Sequence, residues 1–436
     1  MPSLNTKRRG RVFWGLASFE ALAVFRDALF HSYMAVYLRG QLGMSMTETT
    51  LCATLPQLAN VVFQTLLWGR VSDRFRKRRT LIIGGEILAG FGTVLMYLAH
   101  VLPESDRAKG YAIILGLTFI EVFWSMSNVG RTALLSDIYG EKERSGVVGR
   151  LTSFQGVGWL IGIAVGGVLY DRFGTRLDGW GFESGTLFFI TAGVMFVSTL
   201  PMLMVPEGGA GHESRPGAKA DPAAGSGASR LFVVFLFGMV FILWGRNCID
   251  MIRPPYLDLD EGFNVSPLEL SWILNTEAAA TIAVGLCAGY LSRKMSAGRM
   301  ILLGAAISVL ALTIYAFADD INLIYASSLL RGCANALIAV SSYTFVSVLI
   351  PPEKRGRLFS WFNAAYHLSW GIAGTAIAGP VVDCLTQIGW GEVAAYRASF
   401  GVAAGLTGAG LAIQCYVILF MHPRFCGKES LSRKGR

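Results

Sequence analysis

Twelve apolar stretches, each long enough to cross a bilayer, recur from one end of this chain to the other. A helix needs about 20 residues to span the hydrocarbon core, and the stretches run 12–38, 48–68, 80–101, 111–136, 147–169, 186–205, 231–256, 267–291, 300–317, 321–349, 358–382 and 398–421. A soluble helical protein would show apolar runs of about 10–14 residues between charged ones. It would also need more charge than the 15% present here, against roughly 25% in an average soluble chain. The predicted fold class is an all-α membrane protein of twelve transmembrane helices. The first span follows Lys7, Arg8, Arg9 and Arg11, but it is too long for a signal-peptide core and contains Glu20, Arg26 and Asp27. It reads as a retained first helix.

The net charge of +9 reports topology, and no nucleic-acid partner is implied. With the N-terminus in the cytoplasm, about 27 Lys and Arg fall in cytoplasmic segments and about 6 in external ones. The basic clusters at 70–79, 142–150, 293–299 and 354–357 share one side, and the acidic loops at 258–261 and 319–320 the other. The expected location is the cell (inner) membrane, multi-pass, with both termini cytoplasmic. Basic loops add a mild attraction to anionic membrane lipids. The seven cysteines are scattered without metal-ligand spacing, so neither a metal nor a cofactor is expected. Asn264-Val265-Ser266 is a formal glycosylation sequon of a kind that arises often by chance.

Residues 206–230, rich in Gly, Ala, Pro and Ser, cannot bury a core and read as a flexible cytoplasmic linker. They divide the chain into six-helix bundles at 1–205 and 231–436, which resemble each other. Phe25-Arg26-Asp27 matches Gly245-Arg246-Asn247, Glu143-Arg144-Ser145-Gly146 matches Glu353-Lys354-Arg355-Gly356, and Gly162, Gly167 and Asp171 match Gly374, Gly379 and Asp383. Matching of charged positions within apolar spans favours an internal duplication.

After the second span comes Gly69-Arg70-Val71-Ser72-Asp73-Arg74-Phe75-Arg76-Lys77-Arg78-Arg79. This resembles the signature loop of the major facilitator superfamily, Gly-x-x-x-Asp-Arg-x-Gly-Arg-Arg, departing from it at Arg76. The copy in the second half, Gly289 to Lys294, is degraded, with Arg293 where Asp73 stands. The resemblance implies two pseudo-symmetric six-helix bundles and transport by alternating access. It also implies a cytoplasmic gate of Gly69, Asp73 and Arg74, with Arg131 or Asp137 from the fourth helix pairing with that loop in the outward-open state. Gly158, Gly162, Gly166 and Gly167 in the fifth span resemble the family's antiporter motif, with Ile163 in place of the usual proline. Read physically, small residues four apart mean close helix packing.

In this superfamily the first, fourth, seventh and tenth helices line the central cavity. Here each carries charge near its middle: Arg26 and Asp27, Glu121, Arg246 and Asp250, and Arg331. A charge at a helix centre costs about 2.5–3.5 kcal/mol on insertion scales, so such residues face a cavity or one another. Arg246, Asp250 and Arg253 fall on one stripe, and Glu121 aligns with Arg331 across the repeat. Trp124, Asn247, Glu277 in the eighth span and His367 in the eleventh complete the candidate substrate-binding or proton-coupling set. His367 could carry a proton but, beside a Trp, is more often a hydrogen-bonding core residue, and Glu121, Glu277 and Asp27 are the stronger proton candidates. Glu20 and Glu86 rank lower, the first near the cytoplasmic end and the second on a helix that is usually peripheral in the family.

These features predict a monomeric secondary transporter that moves a small organic solute, coupled to protons or another ion. Guanidinium recognises carboxylate and phosphate in a forked geometry, so Arg26, Arg246 and Arg331 predict an anionic or zwitterionic substrate. Export of amphiphilic drugs or lipids, or a sensor on a transporter fold, are the competing expectations. An enzyme is not expected, because no nucleophile–base or metal constellation is visible.

Overall fold

The computed structural model describes residues 6–75, 77–139, 141–170, 181–208, 226–349 and 355–421. Arg76, Asp171, most of the 206–230 linker, Glu353, Lys354 and the tail beyond 421 lie outside the described residues, as do the side chains of Asp73 and His367. The helices are α1 (Thr6–Val36), α2 (Met46–Phe63), α3 (Arg78–Val101), α4 (Asp106–Ile138), α5 (Glu141–Val168) and α6 (Thr186–Met202). The second half repeats the count with α7 (Ser226–Asn247), α8 (Pro267–Lys294), α9 (Ala297–Phe317), α10 (Ile321–Leu349), α11 (Arg355–Ala373) and α12 (Glu392–Tyr416). Nine described helical segments are long and apolar enough to cross a membrane, and α6 and α7 contribute shorter apolar ones. The remaining helix is α1, whose stretch carries Glu20, Arg26 and Asp27. Together they make the twelve expected. Helices are the natural outcome here, because hydrocarbon offers no partner to a free backbone N–H or C=O.

Several helices are interrupted. One-turn π segments extend α1 (Tyr37–Gln41), α2 (Gln64–Trp68), α11 (Gly374–Ala378) and α12 (Val417–Met421), and α2 then continues through Gly69–Phe75. The seventh span, expected as one helix, ends at Asn247 and resumes as a short helix, Arg253–Asp258. Between them the bonding tightens: Asp250 N donates to Asn247 O at 3.1 Å and Ile252 N to Ile249 O at 3.1 Å. Three-residue spacing of this kind in mid-helix marks a hinge or a functional break. The stripe drawn through Arg246, Asp250 and Arg253 is therefore not a regular helical face.

The chain divides into two compact units, Met1–Ser214 with Pro254–Asn275, and Arg215–Arg253 with Thr276–Arg436. In the first, α1 packs on α5 and α6, α3 on α4 and α6, and α2 on α4. The glycines of α5 form the α1 seam. A Cβ at Gly158 would overlap the carbonyl of Ala21, and one at Gly162 the carbonyl of Phe25. A Cβ at Gly167 would press within 2.7 Å of Ser271 at the start of α8, which is why that stretch groups with the first unit. An apolar core of Val12, Leu16, Ile82, Leu134, Leu151 and Met202 closes one end. In the second unit α7 packs on α11 and α12, and α9 on α10 and α12. Its core runs through Phe235, Leu243, Ile301, Ile338, Phe345 and Phe362. Leu66, Phe91, Phe119, Leu286 and Phe317 stay exposed, as lipid-facing side chains do in a membrane bundle.

Candidate functional site

In the first unit the polar centre grows from α1. Neighbouring residues on a helix point different ways, and Arg26 and Asp27 do so here. Arg26 turns inward and meets Glu86 of α3, Nη2 donating to Oε1 at 3.3 Å and Nη1 lying in ionic contact with Oε2 at 2.6 Å, with side chains only 7% and 2% exposed. Ser127 of α4 donates to the same carboxylate at 2.9 Å, and the guanidinium lies 5.2 Å from the Trp124 ring centroid. The Trp124 indole N–H is buried without a hydrogen-bond partner. Asp27 stays half-exposed and pairs with His31 one turn on, Oδ1 to Nδ1 at 2.9 Å. Glu121 of α4 accepts a short hydrogen bond from the Asn60 amide of α2.

In the second unit the break in α7 is the organising feature. In a regular helix Asp250 N would bond to Arg246 O. That proton goes instead to Asn247 O, and Arg331 of α10 reaches in to donate from Nη1 to Arg246 O at 3.2 Å. The same guanidinium bonds Asp250 at 2.5 Å and Glu277 of α8 at 3.3 Å. Arg253 donates to Glu277 at 2.6 Å and lies 3.6 Å from Asp250. Asn335, one turn beyond Arg331, adds a 2.9 Å bond to Glu277. Arg246 is treated differently. It is buried, donates from Nε to Asn247 Oδ1 at 3.0 Å, and leaves Nη1 without a partner. Asn247 is itself held by Ser369 of α11 at 2.8 Å.

At the signature-loop end, Arg131 of α4 bonds Glu20 of α1 at 2.7 Å, and Gln155 of α5 donates to the same carboxylate at 2.6 Å. Asp137 pairs with Arg78 at 3.4 Å, and Arg78 also bonds the Ser72 hydroxyl. Arg74 is exposed beside the Phe75 ring, and Gly69 follows the π turn of α2. The start of α3 is capped by Glu207, which accepts from Thr80 N at 2.9 Å and Thr80 Oγ1 at 3.1 Å and pairs with Arg79 at 3.3 Å.

The structure therefore brings Arg26 and Trp124 into one cluster, and Asp250, Glu277 and Arg331 into another, with Arg246 and Asn247 beside the latter. Asp137 pairs with Arg78 of the signature loop, whereas Arg131 pairs with Glu20 of α1. Glu121 and Arg331, symmetry mates by sequence, each have partners within their own unit. Three participants carry more weight than the sequence reading allowed: Glu86, Glu20 and His31. A lone carboxylate in an apolar span is a functional signal in itself, which should have promoted Glu86, and His31 stands one helical turn after Asp27.

A model described as the Major Facilitator Superfamily matches residues 16–256 and again 235–435. The chain is 23% identical over 410 residues to an uncharacterised MFS-type transporter, YhjO, of Bacillus subtilis (strain 168), covering 90% of each. It is 21% identical over 342 residues to the multidrug resistance protein MdtG of Proteus mirabilis (strain HI4320), covering 78% of each. Among solved structures it resembles the inward-facing bacterial homologue of the lysosomal transporter Spinster, with a TM-score of 0.68 and 16% identity over 95% of this chain and 96% of that one. The nucleoside transporter NupG gives a TM-score of 0.69 and 15% identity over 92% and 98%. At such identities the structures speak for the fold alone. With the family model matching both halves of a twelve-helix membrane chain, the protein belongs to the Major Facilitator Superfamily and is a multi-pass membrane transporter.

Proposed function

We propose that the protein is a secondary active carrier that moves a small organic solute with anionic or zwitterionic character by alternating access of its two bundles. The supporting observation is Arg246, a guanidinium buried inside an apolar bundle that makes no ion pair among the described residues, has Asp250 only at longer range, and leaves Nη1 without a hydrogen-bond partner. Forked hydrogen bonding to a carboxylate or phosphate is what such a group lacks. Of the three arginines expected to attract an anion, Arg26 and Arg331 already hold internal carboxylates, so Arg246 carries the recognition in this reading.

Proton coupling is assigned to carboxyls that are not held by a guanidinium, which cannot give up its charge. Glu277 is bound by two guanidinium groups and an amide. Glu121 is hydrogen-bonded by the Asn60 amide, and Asp27 by His31. Glu121 and the Asp27–His31 pair are therefore the proposed proton carriers, and the Glu277 cluster the proposed anchor. Residues 206–230 act as the cytoplasmic linker, both termini lie in the cytoplasm, and the carrier works as a monomer.

Counterflow of a labelled solute into proteoliposomes tests the carrier reading. Accumulation driven by unlabelled solute inside is expected, and Glu121→Gln should keep counterflow while losing uphill accumulation under a pH gradient. A purified protein that binds solutes yet gives no counterflow with any of them would sink the carrier reading. Export of amphiphiles is the second reading. It is favoured by the similarity to a multidrug resistance protein, and it would be adopted if only lipophilic cations or lipids exchange.

A further inference from the structure

We infer, on the carrier reading above, that Arg246 and Asn247 form a seat for a single negative charge, so that the solute is recognised as a monoanion. Formal charge in the buried cluster of the second unit is the starting point. Arg246, Arg253 and Arg331 face Asp250 and Glu277, three positive groups against two negative. Arg253 and Arg331 share both carboxylates at 2.5–3.6 Å. Arg246, 1% exposed, is left with the neutral Asn247 oxygen and an unpartnered Nη1. Asp250 acts on Arg246 only beyond ion-pair distance, a buried guanidinium without a directly paired carboxylate is unfavourable, and one negative group makes up the deficit. A dianion would turn the surplus negative, and a cation would double it.

The first half of the chain shows what the missing group is. Arg26 occupies the position that repeats as Arg246. There the third helix supplies Glu86, whose carboxylate accepts a hydrogen bond from Nη2 at 3.3 Å and lies in ionic contact with Nη1 at 2.6 Å. The third helix of the second half, α9, has no acidic residue anywhere in Ala297–Phe317. Asp27, beside Arg26, likewise becomes the neutral Asn247. The same fold position thus carries a built-in carboxylate in one half and none in the other. A planar carboxylate at the head of the solute reproduces the contact that Glu86 makes.

The test is the melting temperature of the full-length protein in detergent at fixed ionic strength. Benzoate, succinate, tetraethylammonium and chloride are titrated as probes. Benzoate is expected to raise the melting temperature saturably and the others not. Arg246→Gln should abolish the benzoate response, while the ligand-free variant melts no lower than wild type, because an uncompensated charge has gone. Arg246→Lys keeps the charge but not the fork and should weaken benzoate at least tenfold. A purely structural arginine would instead lower the melting temperature when replaced. The inference falls if succinate or tetraethylammonium gives the shift, if chloride matches benzoate, or if the shift survives Arg246→Gln. Should Arg246→Gln fail to fold, Arg246 is structural and the inference falls as well. Counterflow of a cation or a dianion would leave the carrier reading intact and overturn only the monoanion.

Discussion

At Arg26 a guanidinium in the membrane interior meets the face of Trp124 and Glu86, which Ser127 also bonds, whereas at Arg246 the repeated guanidinium hydrogen-bonds Asn247 and makes no ion pair among the described residues. The two halves share a helix plan and differ in where they put their carboxylates. In the first, one carboxylate is spent on Arg26, while Asp27 and Glu121 are left to a histidine and an amide. In the second, both carboxylates are locked between Arg253 and Arg331. In the proposed reading the duplicated bundles divide labour, one half keeping the acids that carry protons and the other keeping the guanidinium that binds the solute.

The largest effect that could break this contrast lies at Glu277. Glu277→Gln leaves two buried guanidinium groups to share Asp250 alone, and stripping one partner from a buried pair costs about 3–5 kcal/mol. Unfolding in detergent should place this variant at the upper end of that range. Glu86→Gln, which strands one guanidinium, should fall lower, and Arg246→Gln near zero. If Arg246→Gln destabilises as much as Glu86→Gln, the two halves are not different in the way proposed. Adding Arg26→Gln to Glu86→Gln should restore part of the loss, with a coupling energy of about 0.5–3 kcal/mol in a double-mutant cycle.

A smaller effect sharpens the packing side of the contrast. Gly162→Ala forces a methyl into the Phe25 carbonyl, and overpacking of this kind costs about 1–3 kcal/mol. Helix propensity returns at most about 1 kcal/mol for Gly→Ala, so the net change is destabilising. At Gly405, where a Cβ meets nothing within 4 Å, the propensity gain stands alone and the variant should be neutral or stabilised. Equal melting of the two variants would mean that the α1–α5 seam is not tight.

The smallest effect concerns pH at the loop after the α7 break. Burial, with Asp260 adding to it, pushes Asp258 up to about 6 from an ordinary 3.8. A carboxyl raised in the folded state stabilises below its unfolded value and loses that contribution as pH rises through its folded one. Stability of the wild type should therefore fall modestly between about pH 4 and pH 7, and Asp258→Asn should flatten that stretch of the profile. An unchanged slope in the variant would assign the pH dependence to other groups.

The span positions, the half-chain repeat and the charged mid-span residues were legible in the sequence, because lipid imposes a composition on any segment that crosses it. A charge in such a segment stands out for the same reason, so Arg26, Arg246, Asp250, Glu277 and Arg331 could be named without a structure. Pairing could not. Whether Arg26 meets Glu86 or a solute depends on how α1 and α3 are rotated against each other. Those rotations come from contacts such as Gly158 on Ala21 and Gly85 on Phe123, which no single helix encodes. The interruption of α7 is partly local, because Pro254 and Pro255 have no N–H to continue the ladder and suit the first turn of the short helix Arg253–Asp258. The tertiary part is that Arg331 takes the Arg246 carbonyl and Asp250 turns its N–H to Asn247. A hydrogen bond from a distant helix can replace a local one at similar energy. The sequence by itself determined which groups must avoid lipid, and only the tertiary structure decided which of them satisfy one another and which wait for a ligand.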